Sequence, residues 1–200
     1  MVWFILSFVL WAVLHSITAA ASFKSRVRHR LGDAVYEGTF RFLYNVFASV
    51  TFLPALYFLA VAVPNTVLWQ VSAPVGILFV IIQLGGVIGL LVSLWQTDVW
   101  SFAGLRQLVN WWYGRADAVP PPQLVTTGAY RLVRHPLYFF SLLFIWFTPA
   151  MTLNTLIFNT FVTLYFWIGS RYEEQRLLAD FGEAYVAYRQ QTPGLLPFKL

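Results

Sequence analysis

Two short stretches of this chain concentrate the residue types that can do chemistry. The first, at positions 128–138, reads Gly128-Ala129-Tyr130-Arg131-Leu132-Val133-Arg134-His135-Pro136-Leu137-Tyr138. Pro136 suits the first turn of a helix, where its missing N–H is not needed. Such a helix start offers free backbone N–H groups and a partial positive charge. With Arg134 and His135 beside it, it can receive an anion such as a carboxylate. A plainer reading is that Arg131 and Arg134 anchor a helix at lipid headgroups. The second stretch, 171–178, reads Arg171-Tyr172-Glu173-Glu174-Gln175-Arg176-Leu177-Leu178. Two adjacent acids beside an apolar run call for a cationic partner: Arg131, Arg134 or the ammonium of a ligand. An ordinary salt bridge closing a helix pair is the alternative. Together the two stretches suit a zwitterion that carries an apolar body. Tyr130, Tyr138, Tyr185 and Tyr188 are placed to stack on that body or to face a cation.

The elements that must position these residues are membrane helices. The 200 residues are 59% hydrophobic and 10% charged, far from the roughly one-quarter charged of a soluble domain. Cysteine is absent, which excludes disulfides, thiolate metal sites and a cysteine nucleophile. A spanning helix needs roughly 20 apolar residues. Stretches 1–21, 42–63 and 75–95 meet that need, with Pro54 as an expected kink. The first has no basic residues before it and a basic cluster after it, so it is expected to be a retained span and not a signal peptide. The uncharged run 137–170 is too long for one helix. It is expected to form a hairpin of spans 137–151 and 154–170, which makes five spans in one domain.

Charge placement agrees with that count. Lys24, Arg26, Arg28, Arg30 and Arg41 precede or enter the second span; Arg106, Arg115, Arg131 and Arg134 lie between the third and fourth; Arg171, Arg176, Arg189 and Lys199 follow the fifth. In a five-span arrangement all 13 basic and all 8 acidic residues fall on one side. The positive-inside rule makes that side cytoplasmic, with the N-terminus outside. The net charge of +5 is therefore a topology signal, and no nucleic-acid partner is expected. Polar chemistry is confined to 96–136 and 171–200. The first of these holds Pro120-Pro121-Pro122, expected to be stiff and extended. In the second, Leu177, Leu178, Phe181, Tyr185 and Tyr188 recur at spacings of three and four, predicting one amphipathic C-terminal helix that Pro193 and Pro197 end.

Other features are secondary. Gly85 and Gly89 form a small-xxx-small pair, a signal of close helix packing. His15 lies inside the first span; haem or metal ligation has no second intramembrane histidine to support it, and a hydrogen-bond partner is the default. No metal site is expected. Trp111, Trp112 and Tyr113 read as an interfacial belt or a substrate entrance.

With these residues in view, the chain resembles the isoprenylcysteine carboxyl methyltransferase superfamily of membrane methyltransferases. That family pairs a Gly-x-Tyr-x-x-x-Arg-His-Pro-x-Tyr segment with a distal Glu-Glu-x-x-Leu-x-x-x-Phe-Gly-x-x-Tyr-x-x-Tyr segment. Gly128, Tyr130, Arg134, His135, Pro136 and Tyr138 match the first; Glu173, Glu174, Leu177 or Leu178, Phe181, Gly182, Tyr185 and Tyr188 match the second. Leu14-His15-Ser16 followed by Phe23-Lys24 is similar to the start of the methanethiol S-methyltransferases and of the denitrification-associated NnrU family. Phe102-Ala103-Gly104-Leu105-Arg106-Gln107 is similar to the thiol-methylating branch. The five spans make an all-α polytopic membrane bundle, and the cytoplasmic orientation points to a prokaryotic inner membrane; the resemblance adds the site. It implies S-adenosylmethionine, itself a zwitterion with an apolar body, bound by Gly128, Tyr130, Arg134, His135, Tyr138, Glu173, Glu174, Tyr185 and Tyr188. Arg106 and Arg134 are the candidates for a catalytic role, Arg106 near an anionic acceptor. No glycine-rich strand-to-helix fingerprint is present, which excludes a soluble Rossmann methyltransferase domain. Three functions follow: S-methylation of a small thiol such as methanethiol, carboxyl methylation of an isoprenylcysteine or of another lipid-like acceptor, and a non-enzymatic membrane role of the NnrU kind. Phe139-Phe140 stands where a glycine often follows the tyrosine, a departure expected to narrow the acceptor pocket.

Overall fold

The computed structural model describes residues 1–115 and 123–198. The expected extended Pro120-Pro121-Pro122 segment and Lys199 lie outside the described residues. In chain order the elements are α1 (Val2–Ala19), α2 (Ala21–Leu31), α3 (Asp33–Ala62), β1 (Val67–Gln70), α4 (Ala73–Gln96), α5 (Val99–Ala103), α6 (Leu105–Trp112), α7 (Ala129–Leu132), α8 (Pro136–Trp146), β2 (Ala150–Thr152), α9 (Leu153–Phe181) and α10 (Glu183–Gln191). The protein is an α-helical membrane protein. Helices α1, α3 and α4 each have the length and apolar content of a membrane crossing. The expected fourth span is an 11-residue helix, about 16 Å long, against a hydrocarbon core of roughly 30 Å. The expected fifth runs on without a break into the polar segment, as a single helix of 29 residues.

The chain divides into two compact units. The first comprises Met1–Pro64 and Asp98–Pro122. Here α1 lies along α3 through aromatic side chains. Trp11 donates from its indole to the Ala48 carbonyl at 2.9 Å and meets the Phe52 ring, tilted at 51°, at 4.6 Å. His15 meets the Tyr44 hydroxyl at 2.7 Å and stacks on Trp11 at 5.2 Å. It is thus a hydrogen-bonded helix-packing residue, and among the described residues no group of histidines and carboxylates forms a metal site. The basic stretch expected as a loop is helical. It forms α2 and the first turns of α3, where Arg28 bridges Asp33 and Glu37 and covers the Tyr36 ring.

The aromatic triplet after Asn110 splits in two. Trp111 fills a notch at Gly38 of α3, while Trp112 and Tyr113 are exposed as an interfacial belt requires. A Cβ at Gly38 would lie 2.3 Å from the Trp111 Cβ, a near-backbone atom that no rotamer change moves away. Gly38→Ala is therefore expected to lower stability by about 1–3 kcal/mol through overpacking, measured as thermal unfolding in detergent.

The second unit comprises Asn65–Thr97 and Gln123–Leu200. Its centre is the contact of α4 with α8. The glycines that make it are Gly86 and Gly89, not the expected Gly85, which faces open space. A Cβ at Gly86 would lie 3.0 Å from the Phe140 carbonyl, and one at Gly89 would lie 2.3 Å from the Phe140 ring. Phe140 is thus absorbed in helix packing. Asn159 of α9 donates to the Ile145 carbonyl at 2.6 Å, and the Trp146 indole donates to Thr163 at 2.9 Å. At the uncharged end a two-stranded antiparallel ribbon joins β1 to β2, pairing Val67 with Thr152, Trp69 with Met151 and Gln70 with Ala150. The first strand falls between the expected second and third spans, and the second overlaps the end of the expected span 137–151. Each is only three or four residues long, too short for a periodic signal, and the pairing is long-range.

The C-terminal helix also differs from expectation. Its apolar stripe does not lie on one helix, because the chain turns at Gly182, with φ +53° and ψ −128°, a conformation essentially confined to glycine. Leu177, Leu178 and Phe181 end α9; Tyr185 and Tyr188 belong to α10, which stops at Gln191 before Pro193.

Candidate active site

The polar end of the second unit is built from the start of α8, the last turns of α9 and the whole of α10. Gly128 starts the site, with φ +60° and ψ −124°. The positive φ favours glycine, and a Cβ there would lie 1.7 Å from the Gln96 side-chain nitrogen and displace that side chain. Gln96, at the end of α4, accepts from the Ala129 N–H at 3.1 Å and secures the first turn of α7. Sequence reasoning left Gln96 out because it reads as the polar end of a span. Pro136 takes the first position of α8, as expected, with His135 immediately before it.

The two signature stretches meet. The buried His135 ring, 5% exposed, lies between the two acids, with Nδ1 3.5 Å from Glu173 Oε2 and Nε2 3.2 Å from Glu174 Oε1. Arg134 donates to Glu174 Oε1 from Nε at 3.0 Å and from Nη2 at 2.6 Å. The Tyr138 hydroxyl donates to Glu173 Oε2 at 3.0 Å. Arg176 lies 3.8 Å from Glu173 and Arg189 3.8 Å from Glu174. The acidic pair thus has cationic partners, and Arg134 is one of them. Arg131 makes no ion pair among the described residues and lies exposed on α7. The His135 ring stacks on Tyr138 at 5.5 Å and 6°, and Tyr138 stacks on Phe166 at 4.6 Å and 11°. This column carries the polar cluster into the apolar part of α9.

The remaining tyrosines close the other side. Tyr185 is fully buried and meets Tyr188 edge-on at 6.1 Å. The Tyr188 hydroxyl donates to the Tyr130 carbonyl at 2.6 Å, tying α10 to α7. The buried Tyr185 hydroxyl has no hydrogen bond of ordinary geometry. Next to this wall a cavity of about 430 Å³ opens between α7 and α10, lined by Thr126, Arg131, Ala184, Ala187, Tyr188 and Gln191 among others. Arg106 lies in the first unit, where its guanidinium is 3.1 Å from Asp98, the residue that caps α5.

Electrostatics follow from this arrangement. Burial disfavours an imidazolium at 135, but hydrogen bonds and charge from Glu173 and Glu174 outweigh it and hold its pKa above the ordinary 6.5. Burial also opposes the Glu174 carboxylate; His135 and Arg134 overcome that and hold its pKa down at about 2, against an ordinary 4.5. Glu173 is lowered in the same sense: burial opposes its charge, and His135, Tyr138 and Arg176 outweigh it. Burial, with Glu174 nearby, pushes the Tyr185 phenol up to about 12, so it stays a proton donor.

The pH dependence has a defined sign. Stability from the raised histidine is complete below pH 6.5 and is lost as pH climbs through its folded value. Stability from Glu174 is complete above pH 4.5 and is lost as pH falls toward about 2. The cluster is expected to contribute most between pH 4.5 and 6.5. Thermal unfolding of wild type and His135→Gln across pH checks this. The gap between them is expected to narrow as pH rises above that window; a gap independent of pH would show that the imidazolium is not what the acids hold.

Comparison with known proteins places this arrangement. The profile of the phospholipid methyltransferase family matches residues 81–184, from within α4 to the start of α10, and so takes in both halves of the cluster. The chain belongs to that family. Membership makes it a membrane methyl-transferring enzyme and decides against the non-enzymatic alternative. Among curated relatives, methanethiol S-methyltransferase 1 of Bradyrhizobium diazoefficiens is 30% identical over 98% of this chain and 66% of its own length. The methanethiol S-methyltransferase of Crocosphaera subtropica is 32% identical over 94% of this chain and 71% of its own length. Protein-S-isoprenylcysteine O-methyltransferase B of Arabidopsis thaliana is 37% identical over 38% of this chain and 40% of its own length. The chain thus spans about two thirds of the length of the first of these relatives. No solved structure matches the chain.

Proposed function

We propose that this methyltransferase transfers the methyl group of S-adenosylmethionine to a small thiol such as methanethiol. One observation supports the donor above all: a cluster carrying both signs of charge, at His135 and at Glu173 and Glu174, formed at the mouth of an apolar aromatic column. A zwitterion with an apolar body suits that environment. The buried Tyr185 hydroxyl beside the cluster retains a proton to give. In this reading Glu173 and Glu174 receive the donor's ammonium or ribose, and His135, with a nitrogen toward each acid, holds the pair in place. Gly128 lets the backbone approach closely, and Tyr130, Tyr138, Tyr185 and Tyr188 wall the nucleoside. The thiol acceptor is supported by the two methanethiol enzymes, whose similarity extends over nearly the whole of this chain.

When bound, S-adenosylmethionine supplies an activated methyl on a sulfonium. The chain's own residues have to align donor and acceptor and keep water away, which is where most of the rate enhancement of such a transfer arises. Arg106 is the candidate for meeting an anionic acceptor. Five spans, a cytoplasmic C-terminus and a prokaryotic inner membrane complete the proposal, on the strength of the one-sided distribution of all 13 basic residues.

The isoprenylcysteine relative is similar over little more than a third of the chain and supports the carboxyl-methylating alternative less than the two methanethiol enzymes support the thiol. Purified protein given radiolabelled S-adenosylmethionine is expected to label methanethiol, and to label a prenylcysteine or a phospholipid weakly or not at all. Labelling of the lipid acceptors alone would overturn the thiol reading; no labelling and no binding of S-adenosylhomocysteine would overturn the donor reading.

A further inference from the structure

An Arg-His-Pro stretch beside an acidic pair invites the reading that the arginine grips the ligand. The geometry around Arg134 points elsewhere. Its side chain is 12% exposed and its guanidinium is already engaged on three sides. Nε and Nη2 donate to Glu174 Oε1. Nη1 donates to the Thr192 carbonyl at 2.6 Å and to the Arg189 carbonyl at 3.3 Å. The remaining edge faces Gly194, where a Cβ would lie 3.3 Å from Nη2. The backbone takes part as well: the Arg134 N–H is shared between the carbonyls of Pro193 at 2.9 Å and Gly194 at 3.1 Å. Three consecutive carbonyls, at 192, 193 and 194, therefore converge on one residue. A guanidinium has five N–H donors, and a carboxylate needs two parallel ones on a free edge. Arg134 has no such edge left.

We propose that Arg134 is a positioning residue. It fastens the segment 192–194 across the end of α9, fixing Glu174 and closing α10 over the site, and it does not touch the ligand. The Thr192 N–H caps α10 on the Tyr188 carbonyl at 3.0 Å, and beyond that bond the carbonyls of 192–194 are held by Arg134, so the clasp sets the path of the segment as it leaves α10. Loss of the fork frees Glu174 and unseats Tyr185 and Tyr188 together, since α10 leads directly into 192–194. The inference rests on the methyl-donor reading for its affinity arm alone.

The test uses the full chain in lipid nanodiscs, with S-adenosylhomocysteine as the probe. Arg134→Gln is expected to speed hydrogen exchange of the backbone amides at 134 and 192, which donate to the carbonyls of Pro193 and Gly194 and of Tyr188, by at least about tenfold without ligand, and to weaken probe binding by about the same factor, the scale of one charged hydrogen bond. Arg134→Lys is expected to restore neither, because an ammonium cannot span Glu174 and two carbonyls. Gly194→Val alters no charged group but drives a branched side chain against the guanidinium, and is expected to reproduce both effects. Combined with Arg134→Gln it is expected to add less than about threefold, since both act on one contact. Exchange unchanged in Arg134→Gln would overturn the clasp. So would wild-type probe affinity in Gly194→Val beside a loss in Arg134→Gln, the pattern of a direct ligand contact. If wild-type protein binds no probe, the donor reading fails and the exchange measurements alone decide the clasp.

Discussion

Glu174→Gln is expected to lower methyl transfer by on the order of 100-fold, and stability by about 2–3 kcal/mol. The substitution preserves shape and removes one charge. In the native protein a single oxygen, Oε1, accepts from Arg134 Nε, Arg134 Nη2 and His135 Nε2, while Oε2 faces Arg189. A neutral amide cannot serve three cationic donors, and one of its two ends is itself a donor. Stripping one partner from a fully buried ion pair costs about 3–5 kcal/mol, mostly because the other charge is left unpaired. The Glu174 side chain keeps 18% of its exposure, so solvent recovers part of that and the lower figure applies. The variant also withdraws one of the two carboxylates that raise His135, so the alkaline limb of stability is expected to shift to lower pH. Thermal unfolding and radiolabelled transfer on the same preparations check both. Wild-type turnover in this variant would remove Glu174 from the site.

His135→Ala is expected to weaken S-adenosylhomocysteine binding at least tenfold and to lower stability by about 2–4 kcal/mol. The ring is buried and both its nitrogens face carboxylates. Its removal opens a void between Glu173 and Glu174 and leaves the two acids facing each other without the cation between them. The stack on Tyr138 is lost at the same time, so the aromatic column is released at its polar end. His135→Gln, which fills more of the void, is expected to recover part of the stability and little of the binding. Calorimetric titration with the probe separates the two quantities. Unchanged affinity in His135→Ala would place the ligand elsewhere.

The parts of this protein that were legible in its sequence are those governed by local rules. The three long spans follow from apolar length, and Pro136 at the start of α8 from its missing N–H. Convergence of His135 with Glu173 and Glu174 followed from joining two segments by an apolar hairpin. The parts that were not legible depend on tertiary neighbours. Gly86, and not Gly85, faces α8, since which side of a uniformly apolar helix meets a partner leaves no trace in composition. Gly182 breaks a stripe whose periodicity alone reads as one helix. Gln96 is a polar residue at a helix end until Ala129 is seen to need its carbonyl. The Arg134 clasp depends on main-chain oxygens of 189 and 192, and carbonyls carry no sequence signal.

The short β1–β2 ribbon has a mechanical consequence. It ties the beginning of α4 to the turn between α8 and α9, at the end of the second unit farthest along these helices from the charged cluster. The apolar end is pinned through main-chain hydrogen bonds, whereas the polar end is held through side chains such as Gln96 on the Ala129 N–H. A cross-link between positions 67 and 152 is therefore expected to leave methyl transfer intact, and one between 96 and 129 to lower it.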